Sequence, residues 1–204
     1  MTDYTLTARA PFTGLPTSNA AGRGIVVTDR DGMALATVLV RKGQSAALTQ
    51  RVRESLGIEL PRGARRAAAG DVAFAHTGPE AWLATSEVGG NTFALTLKDA
   101  IGDLTSVSDQ SSGYAVLRLT GPKIRDALAK MLPIDLHHRA FAPADVASTS
   151  ALHVGATLWR LEDAADGSPV FEIAVFRSLV GSFWHSLASS AAEFGLAVTS
   201  SGRD

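Results

Sequence analysis

The sequence predicts an α+β fold built from two ferredoxin-like halves, each a split βαβ unit, packed against each other. Three observations carry this. A leading strand followed by helix, strand, strand and helix fills roughly residues 24–108, the same order begins again at Tyr114, and no low-complexity tract divides the two runs. The boundaries that follow are an irregular segment 1–22, a first half 23–110, a second half 111–198 and a tail 199–204, together forming one compact unit.

The opening contains Pro11, Gly14, Pro16 and Gly22 and carries no periodic pattern. Two apolar runs, GIVVTDR (24–30) and MALATVLV (33–40), flank Asp31-Gly32, and Asp-Gly between such runs predicts a hairpin. Residues 44–57 predict a helix with Ala47, Leu48, Val52 and Leu56 on one side, stopped by Gly57. The stretch PRGARRAAAGD reads as a loop. Strands around Val72 to His76 and Ala81 to Glu87 are joined by a Gly78-Pro79 turn. Asn91 is the expected N-cap of a helix that turns Phe93, Leu97 and Ile101 inward, and Leu104 to Ser108 return as a strand.

The second half opens on the clearest local signal in the chain. In YAVLRLT (114–120), Tyr114, Val116, Arg118 and Thr120 point one way and Ala115, Leu117 and Leu119 the other, the period of a strand with one buried face. Gly121 can leave the strand without a Cβ penalty, and Pro122 suits the first turn of a helix over 122–132 with Ile124, Leu128, Met131 and Leu132 inside. Strands near 146–151, 153–161 and 169–176 follow. A last helix over about 178–195 places Leu179, Phe183, Leu187, Ala191 and Phe194 at helical spacing and stops at Gly195.

Composition narrows the function classes. The chain is 46% hydrophobic and 19% charged with a net charge of −1, an ordinary soluble balance, and no apolar run reaches the ~20 residues a membrane-crossing helix needs. The first twenty residues lack the basic start and apolar core of a secretory signal, so they read as mature protein. Cysteine is absent, which excludes disulfides and thiolate metal sites and fits a cytoplasmic location. The first seventy residues are net basic through Arg41, Lys42, Arg51, Arg53, Arg62, Arg65 and Arg66, and the rest is net acidic. Without aromatic residues interleaved among the arginines, a solvated basic face is the preferred reading over a nucleic-acid surface.

The search for chemistry returns little. His76, His137, His138, His153 and His185 form no HExxH and no i, i+4 zinc pair, and His137-His138 fits a polar turn beside Asp135 and Arg139. No serine lies in a GxSxG elbow: Gly181-Ser182 falls within a helix pattern and Ser111-Ser112-Gly113 in a turn. Neither GxGxxG nor GxxxxGK[ST] occurs. Glu162, Asp163 and Asp166 beside Gly167 read as a hairpin tip rather than a cation site. Trp82 and Trp159 fall in strands and suit packing, while Trp184, if exposed on the last helix, would suit an interface anchor. No catalytic, cofactor-binding or metal-binding residue is assigned.

The stretch SDQSSGYAVLRLTGPKIRDALAKMLPIDLHHRAF carries a resemblance. Asp109 near the Ser112-Gly113 turn, the L-R-L-x-G-P run ending at Gly121-Pro122, the P-x-D-L-H at Pro133 to His137, and Phe141 resemble the gamma-subunit family of heterotetrameric sarcosine oxidases. R-A-P-F-T-G-L (9–15), G-P-E-A-W-L (78–83) and F-R-S-L-V-G-S-F-W (176–184) extend the likeness. The resemblance implies a fold similar to the folate-binding aminomethyltransferases and a non-catalytic subunit that binds the alpha subunit directly, with beta and delta in the same complex. It further implies oxidative demethylation of sarcosine to glycine by the assembly, with formation of hydrogen peroxide and methylenetetrahydrofolate. FAD, FMN, NAD, tetrahydrofolate and zinc are then expected in other subunits and none in this chain. A freestanding folate-binding or one-carbon-transfer protein is the alternative. It would need a carboxylate in a central cavity, for which Asp109 and Glu172 are the nominees.

Overall fold

A computed structural model describes residues 10–12 and 24–199, so most of the irregular opening and nearly all of the tail lie outside the described residues. Eleven strands and four α-helices follow one another: β1 (Ile25–Asp29), β2 (Ala34–Val40), α1 (Ser45–Leu56), β3 (Arg66–Ala69), β4 (Val72–Gly78), β5 (Ala81–Ser86), α2 (Phe93–Ile101), β6 (Thr105–Asp109), β7 (Tyr114–Thr120), α3 (Ile124–Ala129), β8 (Val146–Ala151), β9 (Val154–Arg160), β10 (Val170–Phe176), α4 (Val180–Ala191) and β11 (Leu196–Thr199). They form a five-stranded sheet in the order β3-β4-β5-β2-β6 and a six-stranded sheet in the order β11-β1-β7-β10-β9-β8.

Each sheet has helices on one face and the other sheet on the opposite face. Leu48 and Val52 of α1 and Phe93, Leu97 and Ile101 of α2 bury against Ala34, Ala36, Val38 and Phe74 of the five-stranded sheet. Ile124 and Leu128 of α3 and Phe183 and Leu187 of α4 do the same against Leu117, Leu119, Phe171 and Ile173 of the six-stranded sheet. Between the sheets lie Met33, Leu35, Ala75, Leu83, Val116, Val146, Trp159 and Ala174. Strands covered on both faces lose strict alternation. That is why Val116, on the face of β7 opposite Leu117, is buried as well.

The Asp31-Gly32 turn forms, with the Met33 N–H donating to the Arg30 carbonyl at 3.1 Å and Gly32 at φ +80°. The predicted hairpin does not. β1 pairs with β11 in parallel and β7 antiparallel, whereas β2 pairs with β5 and β6. A tight turn reverses the chain locally but does not oblige its flanks to share a ladder, and here it carries the chain from one sheet to the other.

Removing β1 leaves β7, β9, β10 and β11 in the ferredoxin-like order, with β1 inserted between the first and last strands of that motif. The insertion is locked where three backbones meet. A Cβ on Gly121 would stand 2.3 Å from the Gly24 carbonyl oxygen, and one on Gly24 2.3 Å from that of Phe194. Gly121 sits at φ +123°, a region closed to residues with a side chain. The Lys123 N–H donates to the Gly24 carbonyl at 3.1 Å.

Several boundaries depart from the sequence pattern. α3 begins at Ile124, because Pro122 and Lys123 form the entering turn, and it ends at Ala129 with turns continuing to Leu132. Asn91 is not the cap of α2: a single 3₁₀ turn at Gly90–Thr92 precedes the helix and puts Thr92 at that position. β3 arises within the expected loop, and β11 follows Gly195.

Candidate functional site

Near the middle of the six-stranded sheet, pairing sets three polar side chains in a row. Glu172 on β10 lies opposite Arg118 on β7 and opposite Trp159 on β9. All three face the second sheet, and Glu172 is only 2% exposed. Its Oε1 accepts from Arg118 Nε at 2.9 Å and Nη2 at 2.7 Å, and its Oε2 accepts from Trp159 Nε1 at 2.8 Å. A buried carboxylate without such partners would be strongly unfavourable.

The surrounding elements add two arginines and a second carboxylate. Arg30, in the crossing turn after β1, brings its Nε to 3.2 Å from Glu172 Oε1, within ion-pair range but off the hydrogen-bond axis. Its Nη2 pairs with Glu87, which follows β5. Glu87 also lies 4.0 Å from Arg118 Nη2. Arg66, on the edge strand β3, completes the group: burial lowers its guanidinium pKa, the Glu172 and Glu87 carboxylates oppose that shift, and Arg118 adds to it.

The nominated carboxylates therefore separate. Asp109 is exposed at the end of β6, where its Oδ1 accepts the Ser111 N–H at 2.9 Å in a local turn. Glu172 is central, and its oxygens are occupied by arginine and tryptophan donors. The partners were hidden in the sequence because they come from β1, β5, β7 and β9. Only the alternation that turned Arg118 away from Leu117 and Leu119 hinted at the row.

Other sequence candidates fall into structural roles. Trp184 is 4% exposed and packs edge-to-face on Phe12 at 6.0 Å between ring centres, so it is a core residue of this chain and not an exposed anchor. Ser111 Oγ accepts the Leu35 N–H at 3.1 Å, and Gly181 and Ser182 lie inside α4. Asp163 pairs with Arg160, and Asp166 accepts the Ser168 N–H at 2.9 Å at the β9–β10 tip. Of the basic residues, Arg51 pairs with Asp103, Arg53 with Glu59 and Arg65 with Asp145. Among the described residues no three His, Asp or Glu side chains converge as a metal site, and no helix is long and apolar enough to cross a membrane.

Two structural likenesses define the fold. The chain superposes on a chain of the heterotetrameric sarcosine oxidase from Corynebacterium sp. U-96 in complex with pyrrole 2-carboxylate with a TM-score of 0.77 at 24% identity, covering 92% of this chain and 96% of that one. It superposes on the glycine cleavage system aminomethyltransferase T from Bartonella henselae with a TM-score of 0.61 at 16% identity, covering 88% of this chain and 48% of that one. At these identities the likeness concerns the fold, which is the aminomethyltransferase-like α+β architecture expected from the sequence.

The sequence itself is more specific. Residues 42–193 match the model of the sarcosine oxidase, gamma subunit family, and the chain belongs to that family. Sarcosine oxidase subunit gamma of an Arthrobacter species is 32% identical over 52% of this chain and 53% of its own length. The subunit gamma of Corynebacterium sp. (strain U-96) is 36% identical over 51% and 52% respectively. The chain thus spans about half the length of the curated relatives it matches.

Proposed function

We propose that this chain is a gamma subunit that supports the assembly of a heterotetrameric sarcosine oxidase and has no active site of its own. The observation that carries the reading is the capture of Glu172. The central carboxylate accepts from Arg118 and Trp159 and is approached by Arg30, so its lone pairs serve the junction of the two sheets. A carboxylate that bound a pterin or amine would keep acceptor positions open toward a cavity.

In this reading the chain contacts the alpha subunit directly and joins beta and delta in one cytoplasmic complex. The complex oxidises sarcosine to glycine, with FAD, FMN, NAD, tetrahydrofolate and zinc held by the other subunits. The test is co-expression of the tagged chain with candidate partner subunits, followed by mass identification of what co-purifies. Calorimetric titration of the isolated chain with tetrahydrofolate runs alongside. Recovery of a flavoprotein complex with no heat of folate binding is the expected result. Tight folate binding without any flavoprotein partner would establish the alternative, a freestanding folate-binding or one-carbon-transfer protein, which the likeness to aminomethyltransferase T favours.

A further inference from the structure

The turn between β4 and β5 holds a residue with a side chain where glycine would sit with less strain. Glu80 follows Pro79 at φ +57°, the left-handed region in which a Cβ crowds the backbone. Its carbonyl accepts the Val40 N–H at 3.0 Å, and its Oε1 accepts from Ser45 Oγ in the first turn of α1. The other carboxylate oxygen has no partner among the described residues. With Ser45, Leu60, Arg62, His76 and Trp82, Glu80 lines a cavity of about 410 Å³. Leu60 and Trp82 are buried there and supply an apolar wall. The Trp82 Nε1 donates to the Pro61 carbonyl at 2.9 Å, so the indole offers the cavity no polar atom, and the His76 ring stands edge-to-face on it at 5.6 Å. Arg62 is exposed and makes no hydrogen bond or ion pair with a described residue.

We propose that this cavity binds a small zwitterion with an apolar body, the chemistry of an apolar α-amino acid. Charge selects the class. An anion alone would meet the Glu80 carboxylate and a cation alone the Arg62 guanidinium, whereas a zwitterion gives its ammonium to the first and its carboxylate to the second. Both residues line one cavity and yet form no ion pair with each other, so the interval between the opposite charges is open to a ligand. The Leu60 and Trp82 wall selects the body, since a ligand without one would leave that apolar surface wet. The volume lies in the range of small-molecule sites, which pair an apolar lining with a few polar groups. A strained Glu80 fits the same reading, because such backbone conformations gather at binding sites. The site does not rest on the assembly role, because its test uses the full chain alone and neither partner capture nor folate binding enters the readout.

The probes are L-leucine, isoamylamine, which is the same body without the carboxylate, and isocaproate, which lacks the ammonium. Each is titrated into the full chain at pH 7 by calorimetry. Leucine should bind at one site per chain, and each half-ligand should bind at least about tenfold more weakly for one lost charge-assisted hydrogen bond. Glycine, with both charges and no body, should also lose at least about tenfold. Glu80→Gln keeps an acceptor for Ser45 and should bring leucine down to the affinity of isocaproate. Arg62→Gln should bring leucine down to the affinity of isoamylamine. Should Glu80→Gln fail to fold, Arg62→Gln decides, since it alters an exposed side chain with no described partner. No saturable heat with leucine up to about 10 mM would overturn the site. Equal binding of leucine and both half-ligands, or leucine affinity unchanged in Arg62→Gln, would do the same.

Discussion

Glu172→Gln is the substitution that most directly tests the account of the centre. The amide keeps the volume and can still accept from Trp159, but its NH₂ then faces the Arg118 and Arg30 guanidinium groups, donor against donor. Removing one partner of a fully buried ion pair costs about 3–5 kcal/mol, because the remaining charge stays desolvated. Here Arg30 is 15% exposed and Arg118 35%, so water recovers part of the loss and the expected cost is about 2–4 kcal/mol. For a chain of this size that corresponds to a fall in Tm of roughly 5–15 °C.

The assay is urea unfolding followed by tryptophan fluorescence, to which the Trp159 partner of Glu172 contributes. The midpoint should drop with an unchanged slope, which marks a loss of stability rather than a change in the unfolded ensemble. Adding Arg118→Met to Glu172→Gln removes the orphaned cation and should restore at least half of the loss, a recovery of at least about 1–2 kcal/mol. A loss below about 1 kcal/mol in the single variant would show that Glu172 does not hold the sheets together. So would a variant that folds normally but inactivates an assembled oxidase.

Three further substitutions probe other links. Gly121→Ala should cost at least about 2 kcal/mol in thermal unfolding, because φ +123° is strained for alanine and its Cβ would meet the Gly24 carbonyl. Trp184→Ala should cost about 3–5 kcal/mol, and any loss of partner binding should match the unfolded fraction, as for a core residue. Asp29 is pushed up from 3.8 to about 6, first by burial and then by the charge of Asp31, and its Oδ1 is buried without a hydrogen bond. A raised carboxyl pKa adds stability that is complete below the unfolded value and is lost as pH climbs through the folded one. Asp29→Asn should therefore stabilise the chain by on the order of 1–2 kcal/mol at pH 7, after allowance for its partial exposure, and the gain should vanish near pH 4.

What could be read from residues alone follows the range of the forces involved. Helices α1, α2 and α4 and strands β4 to β10 were legible because their apolar periods are local. β3 was missed because Arg66 to Ala69 is an arginine and three alanines with no β-branched residue, and its strand state rests on pairing with β4. β11 is four residues long and exists because β1 lies beside it, with Ile25 opposite Leu196. The Asp31-Gly32 signal was correct about the turn and wrong about the pairing, since a turn encodes φ and ψ and not the identity of a sheet. Glu172 could be nominated as a carboxylate, but its meaning depends on donors from β7 and β9 and from the turn after β1. For Trp184 core and interface stayed open for a similar reason: helix position fixes direction, and only Phe12 and the neighbouring core decide exposure.

The insertion of β1 and the capture of Glu172 are parts of one mechanical arrangement. β1 comes from the amino-terminal side of the chain yet fills the gap between β7 and β11 in the six-stranded sheet, and the next turn delivers Arg30 to Glu172. The same arginine reaches Glu87, which follows β5 of the other sheet. A relative slide of the two sheets would thus break the Arg30 pairs and pull on the β1 ladder, whose start is pinned at Gly24 against Gly121. Each restraint is modest alone, but the connected chain requires them to fail together, and such linked contacts are the ones that do not add independently. Arg30, Arg118 and Glu172 are committed to holding the sheets in register. A rigid intersheet junction keeps the outer helices at a fixed separation, which suits a subunit whose proposed work is to support an assembly.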